Sequence, residues 1–311
     1  MSISLVKPVP LEQANMHTRN WAFAEIASPA KPSQELRAAV VGRGIQQSRT
    51  PRMHEAEGAR LGLSYTYGLL DFDYLLLDDS QLAEVIDAAG AGGFIGLNVT
   101  YPFKQSVIPL LDELSPNAAA IGAVNTVTFR NGRKVGHNTD CWGFAESFRR
   151  GMPDAPIREV VQLGAGGAGV AVSRALLELG TRRLAIVDPD HARASGLAEA
   201  LSAEFGAGRA VSRAEAELEL RAADGLVNAS PVGMAKYPGT PVPRQNLHRG
   251  LWVADIIYFP AETELLRAAR QLGCRTLPGM GMAVFQAVRA FELFTGLAPD
   301  PAEMARHVGP E

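Results

Sequence analysis

Residues 158–180 read REVVQLGAGGAGVAVSRALLELG, a string compatible with very few local structures. An apolar, β-branched run runs straight into Gly164-Ala165-Gly166-Gly167-Ala168-Gly169, and a helical pattern of alanine, valine and leucine follows. Strand, glycine turn and helix in that order make the first half of a βαβ unit built to hold a dinucleotide. Gly164 permits the tight turn, Gly166 lets the backbone approach a pyrophosphate, and Gly169 lets helix and strand pack closely. The phosphate charge then meets free N–H groups at the helix N-terminus. A second strand, RRLAIVD, ends in Asp188 about 20 residues further on, where a carboxylate accepts hydrogen bonds from ribose hydroxyls. The same charge disfavours the 2′-phosphate of NADP. Pro189 stands where a phosphate-binding arginine is expected, and Arg193 lies one helical turn beyond it. NAD is the expected cofactor and NADP the lesser alternative.

The glycine loop sits in a longer alternation. In the first half, AAVVG, SYTYGLL and GFIGLNV read as strands, and RMHEAEGARLG, SQLAEVIDAAG and PFKQSVIPLLDEL as helices. VNTVTF and KVGHN read as a hairpin around Asn131-Gly132. After a helix at about 141–150, the second half continues with HARASGLAEALSAEFG and TELLRAARQLG as helices, GLVNAS and LWVADIIY as strands. Strands alternating with helices of this length imply mostly parallel sheets, and two such series imply two α/β domains with a cleft between them. The expected organisation is an irregular extension over 1–35, a substrate-binding α/β domain over 36–138, and a Rossmann-type nucleotide domain over 139–282. C-terminal helices from about residue 283 rejoin the first domain, and GMAVFQAVRAFELFTG is amphipathic enough to pack on either.

A length of 311 residues suits two domains, and 47% hydrophobic with 20% charged residues is ordinary for a soluble globular protein. A net charge of -3 and a pI of about 6.1 give no reason to expect nucleic acid or an anionic membrane as partner. Cys141 and Cys274 lie far apart with no CxxC or Cys/His cluster, so neither a disulfide framework nor a metal site is expected, and a reducing cytoplasm suits the chain. No run of about 18 uncharged apolar residues is present, and the N-terminus has no long apolar core of a secretory signal. The expected partner is a small molecule. Monomer and homodimer both stay open.

Four polar clusters fall at strand ends or loops of the first half: Ser48-Arg49-Thr50-Pro51, Asn98 with Thr100 and Lys104, Gly122 to Thr126 around Asn125, and His137-Asn138-Thr139-Asp140. In α/β sheets such positions converge on a crevice outside the carboxyl ends of the strands. Hydroxyls, amides, one ammonium and one carboxylate suit a small polyhydroxylated acid. Each also has an ordinary structural reading. Ser48 and Thr50 suit a turn or helix cap, Asn125 a strand entry, and Asp140 an N-cap. Lys104 reads as a solvated first-turn lysine, although a helix dipole disfavours a cation there.

Taken together, these clusters resemble the shikimate dehydrogenase family from about Leu36 to Leu297. The similar stretches are GRGIQQSRTP (42–51), GLNVTYPFK (96–104), GAVNTV (122–127), GHNTDCWGF (136–144), GAGGAG (164–169), NASPVGM (228–234), ADIIYFPAETELL (254–266) and GMGMAVFQA (279–287), all in order. The resemblance implies that Lys104 and Asp140 are the catalytic pair and that Ser48 and Thr50 hold the substrate carboxylate. It implies that Asn98, Thr100, Asn125, Asp140 and Gln286 bind ring hydroxyls, with Tyr258 on the carboxylate side. Gly164, Ala165, Gly166, Gly167, Ala168 and Asp188 fall in the dinucleotide site, and Asn228 and Gly279 border the nicotinamide.

There are departures. The family's usual Pro and His before the first serine are Gly44 and Gln47 here, its second serine is Thr50, and Asp188-Pro189-Asp190 replaces the Asn-Arg-Thr type of NADP-using members. These features look most like the NAD-using quinate/shikimate branch. The implied reaction is hydride transfer interconverting shikimate and 3-dehydroshikimate. A quinate or aminoshikimate-type paralogue is the near alternative, and a non-catalytic NAD- or ligand-binding regulator is the alternative of another class.

Overall fold

The computed structural model describes Ile26 and residues 35–308; the expected extension over 1–35 lies outside the described residues except for Glu35 and for Ile26, which is helical and fully buried. Two six-stranded sheets organise the chain. The first contains β1 (Leu36–Gly42), β2 (Tyr65–Asp71), β3 (Phe94–Val99), β4 (Glu113–Leu114), β5 (Thr126–Arg130) and β6 (Arg133–His137), in the order β2-β1-β3-β5-β6-β4. The second contains β7 (Glu159–Leu163), β8 (Arg183–Val187), β9 (Ala210–Arg213), β10 (Gly225–Asn228), β11 (Trp252–Asp255) and β12 (Arg275–Leu277), in the order β12-β11-β10-β7-β8-β9. Every pairing in the second sheet is parallel. The order reverses between β7 and β10, which is the doubly wound arrangement with its ligand crevice at the reversal.

Strand β1 shows why the first sheet is covered on both faces. Ala39 and Val41 pack with Leu82, Val85, Ile86 and Ala89 of the helix Leu82–Ala91. The alternate residues Ala38 and Val40 pack with Met53 of the helix Thr50–Arg60 and with Val284, Ala287, Phe291 and Phe294 of the helix Met280–Thr295. Period-two alternation thus sends successive side chains to two apolar layers. Gly96 on β3 admits Phe294, whose ring lies where a Cβ would need to be. The long C-terminal helix therefore packs on the first sheet, and it also lies along the helix Asp140–Gly151. That second helix leaves the first sheet and buries Phe144 and Phe148 against the helix Gly167–Glu178 of the second.

β1, β3 and β6 run the same way, whereas β5 runs against them. The exits of β1, β3 and β6 and the entry of β5 consequently share one edge of the sheet. The hairpin between β5 and β6 turns at Asn131 (φ 51°) and Gly132 (φ 73°), the paired left-handed geometry that Asn-Gly favours.

One expected helix is absent. Residues 101–107 form successive turns and Ile108–Leu110 a single 3₁₀ turn, after which the chain enters β4. The Lys104 carbonyl accepts from the Val124 N–H at 2.8 Å instead of from its own segment, and Pro109 has no N–H to extend a helix. The dipole argument against a cation at Lys104 therefore does not apply. Short strands β4, β9 and β12 and the helix Pro116–Ile121, capped by Ser115, also escaped the sequence pattern.

His54 is the least expected core residue. It lies fully buried on the inner face of its helix, with Nδ1 3.1 Å from the Tyr65 hydroxyl and its ring 4.4 Å from that of Tyr67. Burial pushes its pKa down to about 3. The folded state keeps the ring neutral while the unfolded chain takes up a proton below about pH 6.5. Stability is therefore complete above that pH and falls by about 1.4 kcal/mol per pH unit between the two values. Urea unfolding of the parent and His54→Gln between pH 6 and pH 4 should show that slope in the parent and its loss in the variant. Equal slopes would contradict the burial of a neutral ring.

Candidate active site

Lys104 follows β3 by five residues, in the turn anchored through its carbonyl to Val124. Its Nζ lies 2.6 Å from Asp140 Oδ2, with the lysine side chain 26% and the aspartate side chain 10% exposed. The other carboxylate oxygen accepts from Asn125 Nδ2 at 2.9 Å. Asp140 does not cap its helix: Thr139 is the N-cap residue, without a side-chain cap bond. Asn138 Oδ1 takes the Asp140 and Cys141 N–H groups at 3.1 and 3.3 Å, which leaves the Asp140 carboxylate to face Lys104.

Behind this pair runs a buried polar network. The Tyr67 hydroxyl donates to Asn98 Oδ1 at 2.7 Å, and Asn98 Nδ2 donates to Thr126 Oγ1 at 3.0 Å and to the Asn125 carbonyl at 3.2 Å. Thr126 Oγ1 donates to Asn125 Oδ1 at 3.0 Å, and the same oxygen takes the Thr139 N–H at 2.8 Å. Asn125 Nδ2 divides its hydrogens between Thr139 Oγ1 and Asp140. Desolvation raises the Tyr67 phenol well above its ordinary pKa, so it stays a neutral donor. The amide donors of Asn98 and Asn125 are committed inside the protein, and these two residues hold the site's shape. Tyr67, Thr126, Asn138 and Thr139 belong to the same framework. The sequence places Thr126, Asn138 and Thr139 in the polar clusters without giving any of them a role, and nothing in it points to Tyr67.

The remaining candidates on the first sheet and the C-terminal helix are more accessible. Ser48, Thr50, Thr100, Lys104 and Gln286 are half-buried. Ser48 Oγ accepts from Thr50 N–H at 3.3 Å, and the helix that follows has Arg49 at its N-cap, so neither hydroxyl caps it. Thr100 approaches β1 closely because position 42 is glycine; a Cβ there would sit 2.4 Å from the threonine methyl. Gln286 comes beside the Asp140 helix at Gly143, where a Cβ would lie 2.8 Å from the Gln286 nitrogen. Tyr258, just past β11, is 47% exposed. Desolvation raises its phenol pKa, and the Lys104 charge opposes that shift.

The glycine loop divides by role. Gly164 has φ 97° and lies against Ala229, and a Cβ on Gly169 would lie 2.4 Å from the Gly164 carbonyl oxygen. Beside Gly166 and Gly167 there is open space, at the start of a helix that no side chain caps. Half-buried Ala168 follows in the first turn. That cradle fits a pyrophosphate. Asp188 is buried, with Oδ2 accepting from Ala165 N–H at 2.7 Å and Oδ1 from Asp190 N–H at 2.8 Å, so it fixes the loop. Gln162 Nε2 bridges the carbonyls of Gly164 and Gly169, a further brace under the loop. Asn228 is fully buried, with its amide spent on Val232, Asp255 and Ser230, and buried Gly279 packs on the backbone after β11. Among the described residues no group of three or more His, Cys, Asp or Glu is placed to hold a metal ion.

Family profiles match both ends of the described chain: the shikimate dehydrogenase substrate binding domain over residues 40–127, and the shikimate 5'-dehydrogenase C-terminal domain over 279–308. A shikimate dehydrogenase (NADP(+)) of Streptomyces avermitilis is 55% identical over 85% of this chain and 92% of its own length. A quinate/shikimate dehydrogenase (NAD(+)) of Corynebacterium efficiens is 48% identical over 85% of this chain and 94% of its own. Among solved structures, the quinate dehydrogenase of Corynebacterium glutamicum in complex with NAD superposes with a TM-score of 0.83 at 45% identity, covering 88% of this chain and 98% of that one.

The two kinds of glycine should separate on substitution. Gly169→Ala forces a Cβ into backbone and should destabilise the fold by about 1–3 kcal/mol in chemical unfolding. Gly166→Ala meets open space and should leave stability unchanged while weakening dinucleotide binding at least tenfold in a fluorescence titration.

Proposed function

This chain belongs to the shikimate dehydrogenase family, and from the residues at its crevice we propose that it interconverts shikimate and 3-dehydroshikimate, with quinate as a second substrate. It is an NAD(P)-dependent oxidoreductase acting on a secondary alcohol. The observation that carries the substrate-side reading is the 2.6 Å pair of Lys104 and Asp140 at the strand exits, held from behind by Asn125. A regulator that had lost catalysis would have no need of an aligned ammonium and carboxylate held by Asn125.

Bound nicotinamide supplies the acceptor for the hydride that leaves the ring carbon. The chain's own residues manage everything else. Ser48 and Thr50 present hydroxyls to the substrate carboxylate. Thr100, Gln286 and Asp140 receive the ring hydroxyls, and Asn98 and Asn125 keep those groups in place through the buried network. The reacting hydroxyl lies between Lys104 and Asp140: the Lys104 ammonium first releases a proton to solvent, and the neutral amine so formed takes the hydroxyl proton as the carbon–oxygen double bond forms. Asp140 orients the amine and the hydroxyl together. Tyr258 closes the carboxylate side from the opposite sheet. The methyl of Thr50 narrows the carboxylate end, where the saturated quinate ring and its extra hydroxyl must also fit. A difference of one hydroxyl or methyl shifts preference by about 1–3 kcal/mol.

We assign NAD as the preferred cofactor from this chain's own residues, since relatives of both kinds resemble it. A 2′-phosphate would meet the buried Asp188 charge. The half-exposed Arg193 guanidinium lies 3.1 Å from Asp190 and 3.7 Å from Asp188, so two carboxylates already compete for it.

Following NADH absorbance with shikimate and with quinate, and with either cofactor, tests the reading. Lys104→Ala should lower kcat by about 10²–10⁴ with KM much less affected; parent-like turnover would contradict the assignment. Asp188→Asn, which keeps an acceptor for the Ala165 N–H, should move the NAD/NADP preference at least tenfold towards NADP. A parent that already prefers NADP tenfold would overturn the cofactor reading.

A further inference from the structure

The carboxylate of Asp71 ends β2 directly beside Gly42, the last residue of β1, and is 1% exposed. Four N–H groups converge on it. Oδ1 accepts from Gly44 N–H at 3.0 Å and Asp73 N–H at 3.1 Å, and Oδ2 from Ile45 N–H at 3.1 Å and Gln46 Nε2 at 2.8 Å. Three of these donors belong to the loop that carries Ser48 and Thr50. The connection continues without a break, because Ile45 O accepts from Ser48 N–H at 2.9 Å and Ser48 Oγ from Thr50 N–H at 3.3 Å. Gly44 and Gln47 are exposed and Ile45 and Gln46 only half-buried, so hydrogen bonds to a buried anion, more than apolar packing, define the course of this loop.

Gly44 makes the arrangement specific. Its φ of 64° lies in the left-handed region, and its N–H is one of the donors to Asp71. A proline there can satisfy neither requirement, since its φ is fixed near −65° and it carries no N–H. Glycine at 44 and an acid at 71 therefore form one device. A second clamp fixes the opposite side: the Arg43 guanidinium donates to Asp73, Asp79 and the Leu77 carbonyl, and the Arg43 N–H donates to Tyr101 O at 3.0 Å, in the turn leading to Lys104.

We propose that Asp71 is a positioning residue for recognition of the substrate carboxylate: it holds residues 44–46 so that the Ser48 and Thr50 hydroxyls point together into the crevice, without touching the substrate itself. This rests on the reading of Ser48 and Thr50 as the carboxylate-binding pair. Loosening the loop then acts on the carboxylate end alone and leaves the Lys104 end, anchored through Val124 and Asn125, in place.

The test compares shikimate with shikimate methyl ester, whose ring is the same and whose carboxyl charge is gone, at saturating cofactor. In Asp71→Asn, whose amide turns N–H groups towards N–H donors, kcat/KM for shikimate should fall tenfold or more through KM. Turnover should stay within threefold, and kcat/KM for the ester within twofold. Ser48→Ala should lose the same discrimination. Gln46→Met removes one donor without disturbing the buried acid and should raise KM for shikimate about threefold, which keeps the test available if Asp71→Asn folds poorly. An equal loss for both substrates in Asp71→Asn, or no loss for either, would overturn the inference. Discrimination lost in Ser48→Ala but kept in Asp71→Asn would overturn it alone. Discrimination kept in Ser48→Ala would overturn the carboxylate reading beneath it.

Discussion

Asp140 is gripped from two sides, by the Lys104 ammonium on one oxygen and the Asn125 amide on the other, and much of the architecture serves to make that double hold inevitable. Lys104 comes from the exit of β3, Asn125 from the entry of β5, and Asp140 from the first turn after β6. Only a sheet in which one strand runs against its neighbours places an entry beside two exits. The helix that Asp140 opens then crosses to the second sheet and packs on the helix behind the glycine loop. On the proposed reading, one carboxylate thus ties proton handling in the first sheet to cofactor placement in the second.

A partly buried ion pair is a weak source of stability, because desolvation offsets most of its attraction. Here its value is directional. Each group behind it is satisfied: Tyr67 by Asn98, Asn98 by Thr126, Thr126 by Asn125, and Asn125 by Thr139 and Asp140. Removing one member strands a buried donor or acceptor, at about 1–3 kcal/mol each, so the network resists rearrangement more strongly than its individual bonds suggest. Asp188 and Gln162 do for the glycine loop what Asn98 and Asn125 do for the pair. The accessible groups are few, and most of the polar chemistry is invested in keeping them still.

What the sequence revealed follows from range. The alternation of apolar runs, the Asn131-Gly132 turn and the glycine loop with Asp188 are local patterns set by side-chain period and backbone freedom, and the fold carries them. The segment after Lys104 misled because its composition is helical, whereas its backbone is decided by a carbonyl that bonds to Val124, distant in sequence. Strands β9 and β12, four and three residues long, are too short to show a period and exist because a neighbour pairs with them. Lys104, Asn125 and Asp140 were named together from sequence and are in contact in the fold, but which amides spend their hydrogens inside the protein was not legible. Asn98, Asn125 and Asn228 look from sequence like ligand-binding amides, and burial shows where their hydrogens go. Asp71 left only a faint signal, an acid closing an apolar strand, and its meaning depends on the facing loop.

The central claim is that Lys104 receives the proton as the alcohol becomes a ketone, and chemical rescue of Lys104→Ala by small primary amines tests it most directly. The account predicts that added amines restore shikimate oxidation in a saturable manner, with rates rising with amine basicity among amines of similar size, and that the same amines do nothing for the parent. No rescue across amines small enough to enter the crevice, or rescue independent of basicity, would contradict it.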